Sequence, residues 1–275
     1  MQDRWYLLSL NETVETEEEL QREEELRAEE KLLAEKKPQA EEELKLEQKQ
    51  QAEKMQQIEE DLQRAVLKLD EERSRKLANI KPGKKKTESM GAGLLLQLAV
   101  REALDVSQKL SESEAMEVCQ RLPIFTRLTL SQLLRKVQEP LPLAYTYGNH
   151  GKPYLKNYPF YFNLSHSGDY VFCVLSEQEI GADIQWKSPQ VSERVLQRFF
   201  SSEEKAYWEQ CVAEREKRDF FYQMWCRKEA YGKLTGEGIG DAVSVNMYSP
   251  ALPITLEEPY ISDEYQIAIC KWNES

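Results

Sequence analysis

No apolar run in this chain approaches the roughly 18 residues that a membrane-spanning helix needs. The N-terminus likewise offers no signal-peptide core, because the apolar stretch at 5–10 is too short. The five cysteines (Cys119, Cys173, Cys211, Cys226 and Cys270) are scattered and include no CxxC pair. That argues against a structural zinc site or a disulfide framework and suits a reducing compartment. Only two histidines occur, His150 and His166, and no GxSxG elbow is present, which argues against a Ser-His-Asp hydrolase. No aromatic residue lies between Tyr6 and Phe125, so the first half has the lighter core. The chain reads as a soluble cytoplasmic protein of one large domain or two small ones.

What is abundant is charge, and it is unevenly spread. The 275 residues include 37 basic and 49 acidic ones, a net of −12. Residues 15–64 hold 18 acidic and 9 basic side chains, leaving 28 basic against 31 acidic in the remaining 225. Acidity is therefore a property of one segment. Its composition of Glu, Lys, Gln, Arg, Leu and Ala favours helix, but Pro38 interrupts it and no heptad is sustained. A solvated charged helix or helical hairpin is the plain expectation, and a partner-docking arm the alternative.

Along the rest of the chain, residues 1–11 read as a short strand with a turn at Asn11. An amphipathic helix is expected over 58–80, broken by Pro82 and Gly83, with Lys84-Lys85-Lys86 in the loop beyond. Those lysines either solubilise the loop or attract a polyanion. A mostly apolar helix is expected over 89–103, and helix with breaks over 104–135. Glu139-Pro140-Leu141-Pro142 is the clearest hinge. Beyond it the sequence turns aromatic, with strands expected at 160–164, 170–175, 179–184, 242–248 and 264–272. Ser201 and Glu204 form a capping box for a helix. Helix continuing to about Thr235 places Phe221, Trp225, Glu229 and Lys233 on one face at four-residue spacing.

Glu229 and Lys233, one turn apart, could be an ordinary surface ion pair. Asp183 follows a glycine at a strand end, and by itself is most simply a turn residue. Together, however, Asp183 and Glu229 suit Mg²⁺, which favours one or two carboxylates completed by phosphate oxygens and water. Gln185 puts an amide where another acid would strengthen the set. Lys152, in Gly151-Lys152-Pro153-Tyr154, is either a surface lysine or a point-charge phosphate contact. Ser165 and His166 are adjacent on a strand and point to opposite sides, so anion binding suits them better than nucleophile activation.

Four of these stretches carry a resemblance: Gly151-Lys152-Pro153-Tyr154, Phe162-Asn163-Leu164-Ser165-His166-Ser167-Gly168, Gly181-Ala182-Asp183-Ile184, and Trp225-Cys226-Arg227-Lys228-Glu229-Ala230 with Lys233 and Gly236. In order and spacing they resemble the 4′-phosphopantetheinyl transferases of the Sfp type, over roughly 145–250. The resemblance implies an α+β fold, a pseudo-twofold pair of similar α/β-type halves with coenzyme A in the cleft between them. The halves would be 1–144, carrying 15–64 as a charged helical insertion, and 145–275. It implies transfer of the phosphopantetheine arm of coenzyme A, as co-substrate, to a serine of an apo acyl or peptidyl carrier protein. Asp183 and Glu229 match the family's Mg²⁺ ligands, with Gln185 at a position where many members carry a third acid. Lys152, Pro153, Ser165 and His166 match the nucleotide-contacting motifs, and Lys233 the lysine that assists the leaving phosphate. Arg73 and Lys76 match basic contacts to the 3′-phosphate. Glu88 and Gln97 depart from the pattern, standing where relatives often have arginines. A monomer would suffice, with neither nucleic acid nor membrane as partner. The alternatives are a coenzyme A-binding protein that lost metal chemistry through Gln185, or a scaffold whose working part is the charged segment.

Overall fold

A computed structural model of the protein describes residues 3–9, 49, 56, 60–61, 63–109, 124–240, 242 and 245–273. The charged segment expected over 15–64 falls almost wholly outside them, as does Cys119. The fold is a mixed α+β arrangement built on two packed sheets.

The first sheet contains β1 (Arg4–Ser9), β2 (Ile124–Thr129), β5 (Tyr161–Ser167) and β6 (Tyr170–Ser176), ordered β2-β1-β6-β5. β1 runs parallel to β2 and antiparallel to β6. Both central strands are apolar without polar alternation because both of their faces are covered. Tyr6, Leu8, Val171, Cys173 and Leu175 pack toward the helix α2 (Lys84–Lys109). Trp5, Leu7, Phe172 and Val174 pack the other way, onto the second sheet.

That second sheet joins β7 (Ile180–Trp186), β8 (Ile254–Glu257) and β9 (Tyr265–Trp272) in the order β7-β9-β8, all antiparallel. The two-residue period of β7 decides what it offers each neighbour. Ile180, Ala182 and Ile184 enter the inter-sheet core. Gly181, Asp183 and Gln185 face the opposite side, where the helix α6 (Glu214–Thr235) lies. Small residues let α6 approach: Cys226 and Ala230, with Leu234, meet Ala268 and Cys270 of β9. A β-carbon on Gly181 would lie 2.1 Å from the Ala230 carbonyl oxygen and 2.3 Å from the Leu234 nitrogen. No side chain fits there. α6 ends at Gly236, whose φ of 77° supplies the left-handed cap. The remaining described elements are the ribbon β3 (Tyr145–Tyr147) and β4 (Pro153–Leu155), and the helices α1 (Glu71–Ala78), α3 (Leu130–Lys136), α4 (Glu193–Phe199) and α5 (Ser202–Gln210).

Several sequence expectations need correction. The helix expected over 58–80 is broken: helical residues at 63–66 give way to a turn, and Asp70 caps α1 by accepting from the Arg73 N–H at 3.0 Å. Lys84, Lys85 and Lys86 are the first turn of α2 rather than loop. Within 104–135, β2 is a strand, recruited by pairing with β1 that no local pattern announces. The described residues of 242–248 form turns, and β8 comes later instead. The capping box is present, with Ser201 and Glu204 exchanging backbone hydrogen bonds at the start of α5.

Candidate active site

Strand β7 and helix α6 bring Asp183, Gln185, Glu229 and Lys233 to one place, and β5 adds Ser165. The Lys233 ammonium donates to Asp183 Oδ1 at 2.7 Å, Ser165 Oγ at 3.0 Å and the Ala182 carbonyl at 3.2 Å. Ser165 in turn donates to the same Asp183 oxygen at 2.6 Å. The other carboxylate oxygen accepts from Gln185 Nε2 at 2.6 Å. Asp183 is thus buried and held from both sides. Glu229 differs: among the described residues its carboxylate is assigned no hydrogen bond or ion pair. Burial, and then the charge on Asp183, push its pKa above the ordinary carboxylate range, while Lys233 pulls the other way.

The register of Ser165 follows from a side-chain zipper between the sheets. Asn163 Oδ1, Ser165 Oγ and Ser167 Oγ accept from the backbone N–H groups of Ala182, Ile184 and Trp186, at 3.3, 3.4 and 2.8 Å. Polar residues at alternate positions of β5 therefore satisfy the free edge of β7. With one donated and two accepted bonds, the Ser165 hydroxyl is fully used.

Beside this cluster lies a cavity of about 280 Å³, walled by Lys152, Pro153, Phe162, Asn163, Lys233 and the glycines 232, 236 and 238 among others. Lys152 and Pro153 come from the start of β4. The Lys152 ammonium turns into the wall, donating to Glu179 Oε1 at 2.9 Å and to the Leu234 carbonyl at 2.8 Å. Its burial lowers its pKa, with Glu179 acting in the opposite sense. His166 points away from Ser165, as adjacent strand residues must. Its Nδ1 is 3.4 Å from the Glu88 carboxylate of α2. Arg73 and Lys76 are not among the residues that wall the cavity. They pack on the β3 tyrosines instead, Arg73 Nε donating to the Tyr145 hydroxyl at 3.3 Å and Lys76 lying over the Tyr147 ring. Sequence reasoning missed Glu179, Tyr145 and Tyr147 as partners, and noted Glu88 only as a departure. None sits within a run that marks its partner.

Among the described residues no group of three or more His, Cys, Asp or Glu side chains could hold a metal. Two carboxylates and an amide nonetheless fit Mg²⁺. The donors are hard oxygens, and turning the Gln185 amide would present its carbonyl. Burial, and after it the Asp183 charge, raise the Glu229 pKa, and a cation held there would act against both. Cysteine chemistry has no place here: Cys226 and Cys270 are buried and free, and burial pushes the Cys270 thiol up to about 12.

Fold and site together define an α+β protein that sets two acids and a lysine together, with the lysine lining a glycine-walled cavity. Known proteins sharpen this. Residues 179–270 match the pattern of the 4′-phosphopantetheinyl transferase superfamily. The chain is 36% identical to the 4′-phosphopantetheinyl transferase AcpT of Salmonella typhi over 143 residues, 50% of this chain and 71% of that one. It is 34% identical to 4′-phosphopantetheinyl transferase Sfp of Bacillus subtilis over 136 residues, 44% of this chain and 59% of the relative. With the Bacillus pumilus 4′-phosphopantetheinyl transferase psf-1 it shares 33% over 139 residues, 46% and 58% of the two chains. The protein belongs to the 4′-phosphopantetheinyl transferase superfamily. Its matched region spans just under six-tenths of the two Bacillus relatives.

Proposed function

We propose that this protein transfers the 4′-phosphopantetheine arm of coenzyme A to a serine of an apo acyl or peptidyl carrier protein. The observation that carries the reading is the convergence of Asp183, Glu229 and Lys233 beside the glycine-walled cavity, in a chain of this family.

In this reading Asp183 and Glu229, with Gln185, would hold Mg²⁺, which when bound neutralises charge on the diphosphate of coenzyme A. Glu229, or a water beside it, is the candidate base that takes the carrier serine's proton. The serine oxygen then forms a bond to the phosphorus bearing the pantetheine, and the bond from that phosphorus to the bridging oxygen breaks. The bridging oxygen leaves on adenosine 3′,5′-bisphosphate. Lys233 stabilises the charge that gathers on it. Pro153, Lys152 and the glycines shape the nucleotide's wall, Ser165 holds Asp183 in place, and His166, Arg73 and Lys76, which do not wall the cavity, stand as candidate contacts to the nucleotide beyond it.

The same proposal divides the chain at 144/145 into two similar halves, with 15–64 inserted in the first. It has one cytoplasmic chain sufficing for the whole cleft. The test is a mass measurement. Incubated with coenzyme A, Mg²⁺ and a panel of apo carriers, the protein should add about 340 Da to at least one of them. No mass gain on any carrier would remove the proposal.

A further inference from the structure

The contacts of Lys233 carry a further consequence, which rests on reading Asp183 and Glu229 as the metal site. All of the donors on its ammonium are engaged: Asp183 Oδ1, Ser165 Oγ and the Ala182 carbonyl, at 2.7, 3.0 and 3.2 Å. This is a cradle of oxygens around a cation. The second oxygen of Asp183 is capped as well, by Gln185 Nε2. Oδ1 of Asp183 is therefore filled by two donors, while Oδ2 accepts one and keeps one acceptor site. Glu229, one turn before Lys233, makes no hydrogen bond or ion pair of its own among the described residues, whereas Lys233 lies on Asp183.

A divalent cation held by the two acids would take an Asp183 oxygen and would set a double positive charge beside the lysine. A divalent cation beside the ammonium repels it and weakens its hold on Asp183. Lys233 has somewhere to go. Its side chain lines the cavity, whereas Asp183 does not, and it is 28% exposed against 4% for Asp183. Its unbranched stem lets the ammonium move while α6 stays fixed.

We infer that Lys233 is an exchangeable counter-ion: it holds Asp183 in the metal-free state and is displaced into the cavity when a divalent cation loads. Metal binding and the delivery of a positive charge to an anionic ligand are then one event. A protein without metal would present the cavity with a lysine already committed elsewhere, so an anionic ligand should bind more weakly until the metal is in place. The reverse coupling also holds, because an anion in the cavity that attracts Lys233 uncovers Asp183 for the metal.

The experiment uses the full chain, labelled at lysine side chains for NMR, titrated with Mg²⁺ alone and followed in parallel by calorimetry. The Lys233 ammonium signal, assigned by its loss in Lys233→Met, should be visible without metal because its protons are held in hydrogen bonds. It should broaden or vanish as Mg²⁺ binds. Lys233→Met should bind Mg²⁺ about fivefold or more tightly than the parent chain, since the competing cation is gone. If calorimetry registers Mg²⁺ binding while the Lys233 signal stays unchanged, the exchange is wrong and the metal site stands. If Mg²⁺ does not bind at millimolar concentration in the parent or in Lys233→Met, the metal-site reading itself falls, and the exchange with it.

Discussion

At the scale of the residue, Glu229 shows how function and stability pull apart. Its pKa is raised in the folded protein by burial and by Asp183, so the native state binds its proton more tightly than the unfolded chain does. The stability it contributes is fully present below the pKa of the unfolded group and is lost as pH rises through the folded value. Near neutral pH the ionised carboxylate is a liability to the metal-free protein. Glu229→Gln should therefore raise the melting temperature of the metal-free chain at neutral pH, with the advantage shrinking in mild acid. The same substitution should cost transfer activity about 10²-fold or more, because it removes the proposed base. Differential scanning calorimetry across pH and the carrier mass assay check both halves.

At the scale of the element, the site depends on how closely α6 lies on β7. Gly181 sets that distance, since a β-carbon would run into the backbone of Ala230 and Leu234. Gly181→Ala must push the helix outward and carry Glu229 and Lys233 away from Asp183. We expect a loss of roughly 1–3 kcal/mol in urea unfolding, typical of overpacking. A displacement of about 1 Å at the acids should lower turnover on the order of 10²-fold. The Gly-Ala-Asp order of β7 thus has a physical reading: the glycine admits the helix, the alanine fills the inter-sheet core, and the aspartate meets the helix's charges.

At the scale of the whole molecule, a second ion pair ties distant segments together. Lys228 and Glu204 lie 2.9 Å apart and fully buried. Lys228 also donates to the Ala242 and Val245 carbonyls, while Glu204 accepts from the Ser201 and Met247 N–H groups. The pair joins α5, α6 and the segment after the cavity's glycines. Lys228→Met would strand the Glu204 charge in the interior and should cost about 3–5 kcal/mol, read by urea unfolding. Pairing it with Glu204→Gln should recover part of that loss. The charged segment at 15–64 belongs to this scale too. An acidic carrier would be repelled by it at the cleft mouth, so we expect it to point away. Its deletion should leave transfer nearly unchanged at low and at high salt; a large salt-dependent gain would contradict this placement.

What the sequence by itself determined was local and periodic. The end of α6 at Thr235, the capping box at Ser201, and the strands around Asn163, Phe172 and Asp183 are legible because propensity, alternation and caps act within a few residues. Glu229 and Lys233 stand out by their four-residue spacing and Asp183 through the family resemblance, and Lys233 does meet Asp183. Only the tertiary structure decided the rest. β2 is a strand because β1 was already there to pair with it, and 63–80 breaks because Asp70 caps a new helix against the Tyr145 hydroxyl. Ser165 became the support of Asp183, Lys152 the partner of Glu179, and His166 the neighbour of Glu88. Those partners lie 18, 27 and 78 residues away, and long-range pairing leaves no periodic trace in a chain.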